Sequence, residues 1–250
     1  MIKFFRKIRQ RLIIENKFSK YLLYAIGEII LIVLGILIAL QMNNWNETRK
    51  QNIKRDNYLS SLLVNLNENV SYLKRRSTEI KADLKATQDI GDRIGSATAT
   101  IDTITKIARE EISLDYYAFT QLNDNTYQTL QSTGHIEYLE RWLQEELQKL
   151  NFMHKQLLNA NEKFATLYIR VLTDFLKIYP LNKNDRIISE QLADLVLEDI
   201  SNADKMSTLN SLLSVKQEAY GGVLGREELL EEKMIWLADT LMIEYPFLKN

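Results

Sequence analysis

The stretch that decides the fold is "YLLYAIGEIILIVLGILIAL", Tyr21 to Leu40. Glu28 is its one formal charge. About twenty helical residues at 1.5 Å each cross the roughly 30 Å hydrocarbon layer of a bilayer. Lys20 closes the run on one side and "QMNNWNE" on the other, and Tyr21, Tyr24 and Trp45 sit where interfacial aromatic belts form. The pattern predicts a transmembrane helix over 21–40 that is retained as an uncleaved signal-anchor. A cleaved signal peptide would have an apolar core of about 7–15 residues and a small-x-small site, which Leu40-Gln41-Met42 does not supply. A core helix of a water-soluble protein is the other alternative.

Outward from the span, the flanks set its direction. Residues 1–20 carry seven basic side chains against the single acid Glu15, although the whole chain of 250 residues has a net charge of −1. Positive flanks stay on the cytoplasmic side. The expected localisation is therefore a bacterial inner membrane, crossed once, with a cytoplasmic amino terminus and residues 41–250 in the periplasm. A basic head on an acidic body argues against a nucleic-acid partner, whose contacts need basic residues along a working face. Within 1–20, Ile2, Phe5, Ile8 and Leu12 share one side of a helical wheel. Lys3, Arg6, Lys7, Arg9 and Arg11 are the candidate membrane-surface residues. Two readings of this segment stay open: an amphipathic helix lying on anionic headgroups, or a simple charged stop.

Inside the span, Tyr24, Glu28, Gly35 and Ala39 fall on one helical stripe. Gly35 and Ala39 form a small-xxx-small pair that permits close approach of a second helix. An acid at bilayer depth costs at least a few kcal/mol, so it faces protein in preference to lipid. These four residues are the candidate transmembrane association site, the partner being a second copy (a homo-oligomer) or another membrane protein. A protonated acid without a role, and proton or ion transfer, are the competing readings of Glu28.

The run "KYLLYAIGEIILIVLGILIALQMNNWNE", with the basic start "MIKFFRKIRQ", resembles an uncharacterised bacterial family of single-pass membrane proteins, a domain of unknown function. "TYQTLQSTGHIEYLERWLQEEL" is similar to that family's second block. The resemblance implies an anchored helical protein and brings no activity with it.

Past Trp45 the chain reads as all-α, a bundle of long antiparallel helices. With only 8 Gly and 2 Pro, against roughly 7% and 5% in ordinary usage, there are few tight corners. Leu59, Leu62, Leu66, Val70, Leu73, Ile80 and Leu84 step by three and four, the stripe of a bundle helix. That helix is expected over Asn46–Ile90 and can continue from the span. Gly91, Gly95 and "SATAT" mark the first turn. Helices are then expected near 98–110 and 114–132, with Gly134 as a C-terminal cap. Another follows over 136–179, with Leu139, Leu143, Leu147, Leu150, Leu157, Phe164, Leu167 and Val171 inward, matching the first in length as antiparallel neighbours in a bundle should. Asn184 or Asp185 is expected to cap a helix reaching Ile200, and Asn202 to cap the next. "YGGVLGREEL" is expected to interrupt the pattern before a last helix over 226–244.

No catalytic signature, metal-type spacing or cofactor motif is found, so no enzyme activity, cofactor or metal is expected. His135 and His154 are the two histidines and cysteine is absent. His135 reads as a turn residue and His154 as a surface or groove residue. Glu227, Glu228, Glu231 and Glu232 read as a solvated cluster at a helix start, where acids complement the dipole, with metal binding as the alternative. Tyr116, Tyr117, Phe119 and Tyr127 read as core aromatics, with a ligand pocket as the alternative. The expected function is that of an anchored interaction or scaffold protein. The alternative is an extracytoplasmic ligand-binding sensor, which would need a partner membrane protein because only twenty residues precede the span.

Overall fold

A computed structural model describes residues 18–179 and 190–249. Among the described residues every regular element is helical and none is a strand. The all-α class is as expected. Two compact units divide the chain, one ending at Asn57 and one beginning at Tyr58. The first contains the start of helix α1, Phe18–Ile94, 77 residues long. Every large apolar side chain described from Leu22 to Leu40 is exposed. This helix is long and apolar enough to cross a membrane: its most apolar 18-residue window has a mean hydropathy of 2.5 and no buried residue.

In the second unit the rest of α1 packs with α4 (Arg141–Ile178) and α6 (Asn202–Glu244). The expected stripe of α1 turns inward, with Leu59, Leu62, Leu66, Val70, Leu73 and Ile80 buried and Leu84 half-buried. On α4 the inward positions drift as a 3.6-residue period requires. Leu143, Leu147, Leu150 and Leu157 are buried, followed by Asn161, Tyr168 and Phe175, while Leu167 is exposed. The bundle is antiparallel through α6. Arg76 and Asp83 of α1 meet Glu227 and Lys216 of α6 in reverse order. Likewise Glu146 of α4 meets Lys233, and Phe164 lies against Gly222. The expected antiparallel pairing of the first long helix with the one ending near 179 is corrected: α1 and α4 run the same way, since Tyr58 meets His135 near one end and Arg76 meets Asn161 further along.

The chain therefore has to return before α4 begins. Thr100 opens α2 (Ile101–Lys106) with a capping box, its side chain accepting from the Thr103 amide. A π-turn, Ile107–Glu111, ends that helix. The expected helix over 114–132 is corrected: only α3, Asn125–Ser132, is helical, and 112–124 form no regular element. Distance gives the reason. Ser113 sits beside Asp83, and Asn123 beside Asn69. The intervening stretch of α1 rises about 21 Å, and a helix over 113–123 would reach only about 15 Å. The return must be extended, and it forms a strap along the bundle.

Three further expectations change. Helix α6 runs unbroken through "YGGVLG", because Gly222 lets it approach Phe164; a Cβ there would sit 2.6 Å from the ring. Its N-cap is Ser201, which accepts from the Asp204 amide, in place of Asn202. The helix expected over 136–179 begins as a short 3-10 turn, His135–Tyr138, before α4. Gly134 does end α3 in the left-handed region, at φ 73°. Helix α5, Glu190–Asp199, precedes α6. The expected caps Asn184 and Asp185 lie outside the described residues.

Candidate functional site

The first candidate is the apolar face of α1. Gly35 and Ala39 are exposed and Glu28 is half-exposed. A Cβ at Gly35 would meet nothing within 4 Å, so packing within this chain does not require glycine there. Tyr24 lies within α1, but its side chain is outside the described residues, as are Lys3, Arg6, Lys7, Arg9 and Arg11.

The second candidate is the strap and what grips it. An extended segment without a neighbouring strand must find other partners for its backbone groups. Here side chains from all three long helices provide them. From α1, Asn69 both donates to the Asn123 carbonyl and accepts from the Asn123 amide, at 2.9 and 2.8 Å. The Tyr72 hydroxyl accepts from the Thr120 amide at 2.9 Å. From α4, the Tyr168 hydroxyl donates to the Leu114 carbonyl at 2.8 Å, and His154 Nε2 accepts from the Leu122 amide at 3.2 Å. From α6, Lys216 donates to the Ser113 carbonyl at 2.9 Å and the Tyr220 hydroxyl accepts from the Tyr117 amide at 3.2 Å.

Two buried ion pairs tie these grips to the helix register. Arg76, 3% exposed, donates through Nε to Glu227 Oε1 at 2.8 Å. Its other nitrogens donate to the Tyr117 carbonyl and to Asn161 Oδ1. Lys216 pairs with Asp83 at 2.8 Å, and Tyr220 donates to the same carboxylate at 2.8 Å. Each cation thus holds one carboxylate and one strap carbonyl. Tyr116 is stacked between Tyr168 and Tyr220, at ring separations of 4.9 and 5.4 Å. Burial pushes the hydroxyls of Tyr116, Tyr168 and Tyr220 above the ordinary tyrosine range. Burial also pushes the Glu227 carboxyl up, against the pull of Arg76. The Tyr168 and Tyr220 hydroxyls and Glu227 Oε1 are held by hydrogen bonds, whereas the buried Tyr116 hydroxyl and Glu227 Oε2 have no hydrogen-bond partner among the described residues.

Several readings of single residues change here. Glu227 is not solvated: it is 1% exposed and lies mid-helix, because α6 starts much earlier than expected. Glu228 does lie at the surface, paired with Lys81 at 2.9 Å. His154 is buried, 4% exposed, and burial pushes its ring below the ordinary histidine value. His135 opens the turn before α4, with Nδ1 2.8 Å from the Tyr58 hydroxyl. Phe119 and Tyr127 join the core. Among the described residues no three His, Asp or Glu side chains converge to hold a metal ion. Asn69, Arg76, Lys216 and Tyr220 escape sequence reasoning because each reads as an ordinary polar or aromatic member of a helix. A signal existed in their spacing on the inward stripe, as with Asn69 and Arg76 between Leu66, Leu73 and Ile80.

No curated protein and no solved structure matches the chain. Residues 28–143 match a family of unknown function, DUF6090, so the part of the chain from Glu28 in the apolar helix to the start of α4 is similar to that uncharacterised family, in line with the resemblance read from the sequence.

Proposed function

We propose that this protein is a membrane-anchored interaction protein of single-pass type, with the amino terminus cytoplasmic and the helical bundle outside. The observation that carries the reading is the stretch of α1 from Leu22 to Leu40, where every large apolar side chain described is exposed. In water so large an apolar surface would drive aggregation; in a bilayer it is solvated by lipid. The Tyr24, Glu28, Gly35 and Ala39 stripe then supplies the surface for a second span, either a copy of this chain or another membrane protein. Extraction and reporter fusions test the anchor. The full chain should stay with membranes after alkaline carbonate, and a carboxyl-terminal reporter should be active only outside the cytoplasm. Release by carbonate, or a cytosolic carboxyl end, overturns the reading. Disulfide trapping of G35C and A39C should capture a neighbouring span; cysteines at Leu34 and Ile38 should not. The sensor reading adds a further requirement, a ligand site within the bundle.

A further inference from the structure

After its apolar run, α1 continues within the first unit as a connector, residues 41–57. Among the described residues, every one from Gln41 to Lys54 is exposed. A helix of about 15 residues without packing is marginal in water, yet this one holds apolar side chains open to solvent. Met42 is 66% exposed and Ile53 53%. At about 100° per residue, Met42, Asn46, Ile53 and Asn57 fall in the same sector, about 60° wide, as Gly35 and Ala39. The association stripe of the span thus continues in phase through the connector. No charged residue lies in that sector between Gly35 and Asn57. Arg49 and Lys50 straddle it in the gap between Asn46 and Ile53, and Lys50 is paired with Glu47 at 3.0 Å.

We propose that this face of the connector pairs with the same face of a second copy of the chain, as a parallel two-helix seam that prolongs the pairing of the spans. The inference rests on the anchor reading, under which two copies in one membrane point the same way. In a two-fold pair each residue of the seam meets its own counterpart. Gly35 and Ala39 then meet small on small, which lets the backbones approach, and Met42 and Ile53 meet apolar on apolar. Asn46 and Asn57 meet Asn, and a carboxamide holds both the donor and the acceptor that its own copy needs. An Asn in an otherwise apolar seam fixes the register of two parallel strands. One layer opposes the pairing: Arg49 and Lys54, on opposite edges and five residues apart, set like charges across the seam.

The chain has no cysteine, so single introduced thiols report without ambiguity. Two differently tagged forms of the full chain, each carrying I53C, are co-expressed and mildly oxidised in membranes, and N57C is treated likewise. A covalent pair bearing both tags is expected from I53C and from N57C, whose counterparts come within disulfide reach. None is expected from N44C or Q51C, on the opposite side of the helix. Asn46→Lys should remove the I53C pair by setting like charges against each other at the axis, and Arg49→Glu should increase it. Both positions are exposed, so the unfolding midpoint of the bundle should stay in place. Trapping of I53C to a different protein, equal trapping from N44C and Q51C, or no trapping at all overturns the proposal. So does an I53C pair that N46K leaves unchanged or R49E weakens. Carbonate extraction of the same membranes separates the two readings: a chain that is retained but untrapped defeats the pairing alone, and a released chain defeats both.

Discussion

Residues 22–40 and residues 59–80 lie on one helix, yet they handle apolar surface in opposite ways. Between Leu22 and Leu40 the large apolar side chains point in all directions and are all exposed. Between Leu59 and Ile80 they keep to one stripe and are buried. The difference teaches that the arrangement of apolar residues assigns the solvent. An all-round apolar helix has no preferred protein-facing side and suits lipid, whereas a stripe suits a bundle. Polar residues follow the same division. In the bundle stripe, buried Asn69 and Arg76 are fully engaged.

Substitutions on the two halves should therefore have unlike consequences. The largest effect is expected from Arg76→Met, which strands Glu227 in the core. Breaking a buried pair costs about 3–5 kcal/mol, read as a fall in the denaturant midpoint of the solubilised full chain. R76M/E227L should recover much of that loss. Next is Leu34→Arg. It should reduce membrane integration by about 2.5–3.5 kcal/mol and leave the bundle's unfolding midpoint where it was; a shifted midpoint would break the comparison. Gly222→Ala drives a methyl group into Phe164 and should destabilise the bundle by about 1–3 kcal/mol. Gly35→Ala should leave bundle stability unaltered and act only on trapping between spans. The smallest effect is a pH slope. The folded pKa of His154 lies below its ordinary value of 6.5 because the ring is buried. Its stabilising contribution is thus present above pH 6.5 and falls as acidification drives the ring to charge. H154Q should flatten that part of the stability–pH profile.

Legibility followed the same physics. The long apolar run at the start of α1, the α1 stripe, most of α4 and the left-handed Gly134 were all readable, because each rests on local composition or period. The strap was not. Its residues, "SLDYYAFTQLND", resemble an ordinary helix with aromatic faces. They are extended because α1 and α4 run in parallel, and that arrangement appears only in three dimensions. The unbroken α6 was hidden for a related reason: three glycines in "YGGVLG" suggest a break, and only the Phe164 contact explains why one of them is kept within a helix. Glu227 and His154 were misplaced as a result, since a residue's solvent follows from its neighbours across the bundle. For the association stripe, legibility ends at Glu28, Gly35 and Ala39 as positions on a helix.

The source of the strap's grips bears on modularity. The matched segment ends at residue 143, whereas Tyr168, Lys216 and Tyr220, which hold Leu114, Ser113 and Tyr117, come from later in the chain. Cut at that boundary, the first part would keep its own hydrophobic stripe but leave these main-chain groups without their fasteners. A transplant of residues 28–143 alone should therefore not fold.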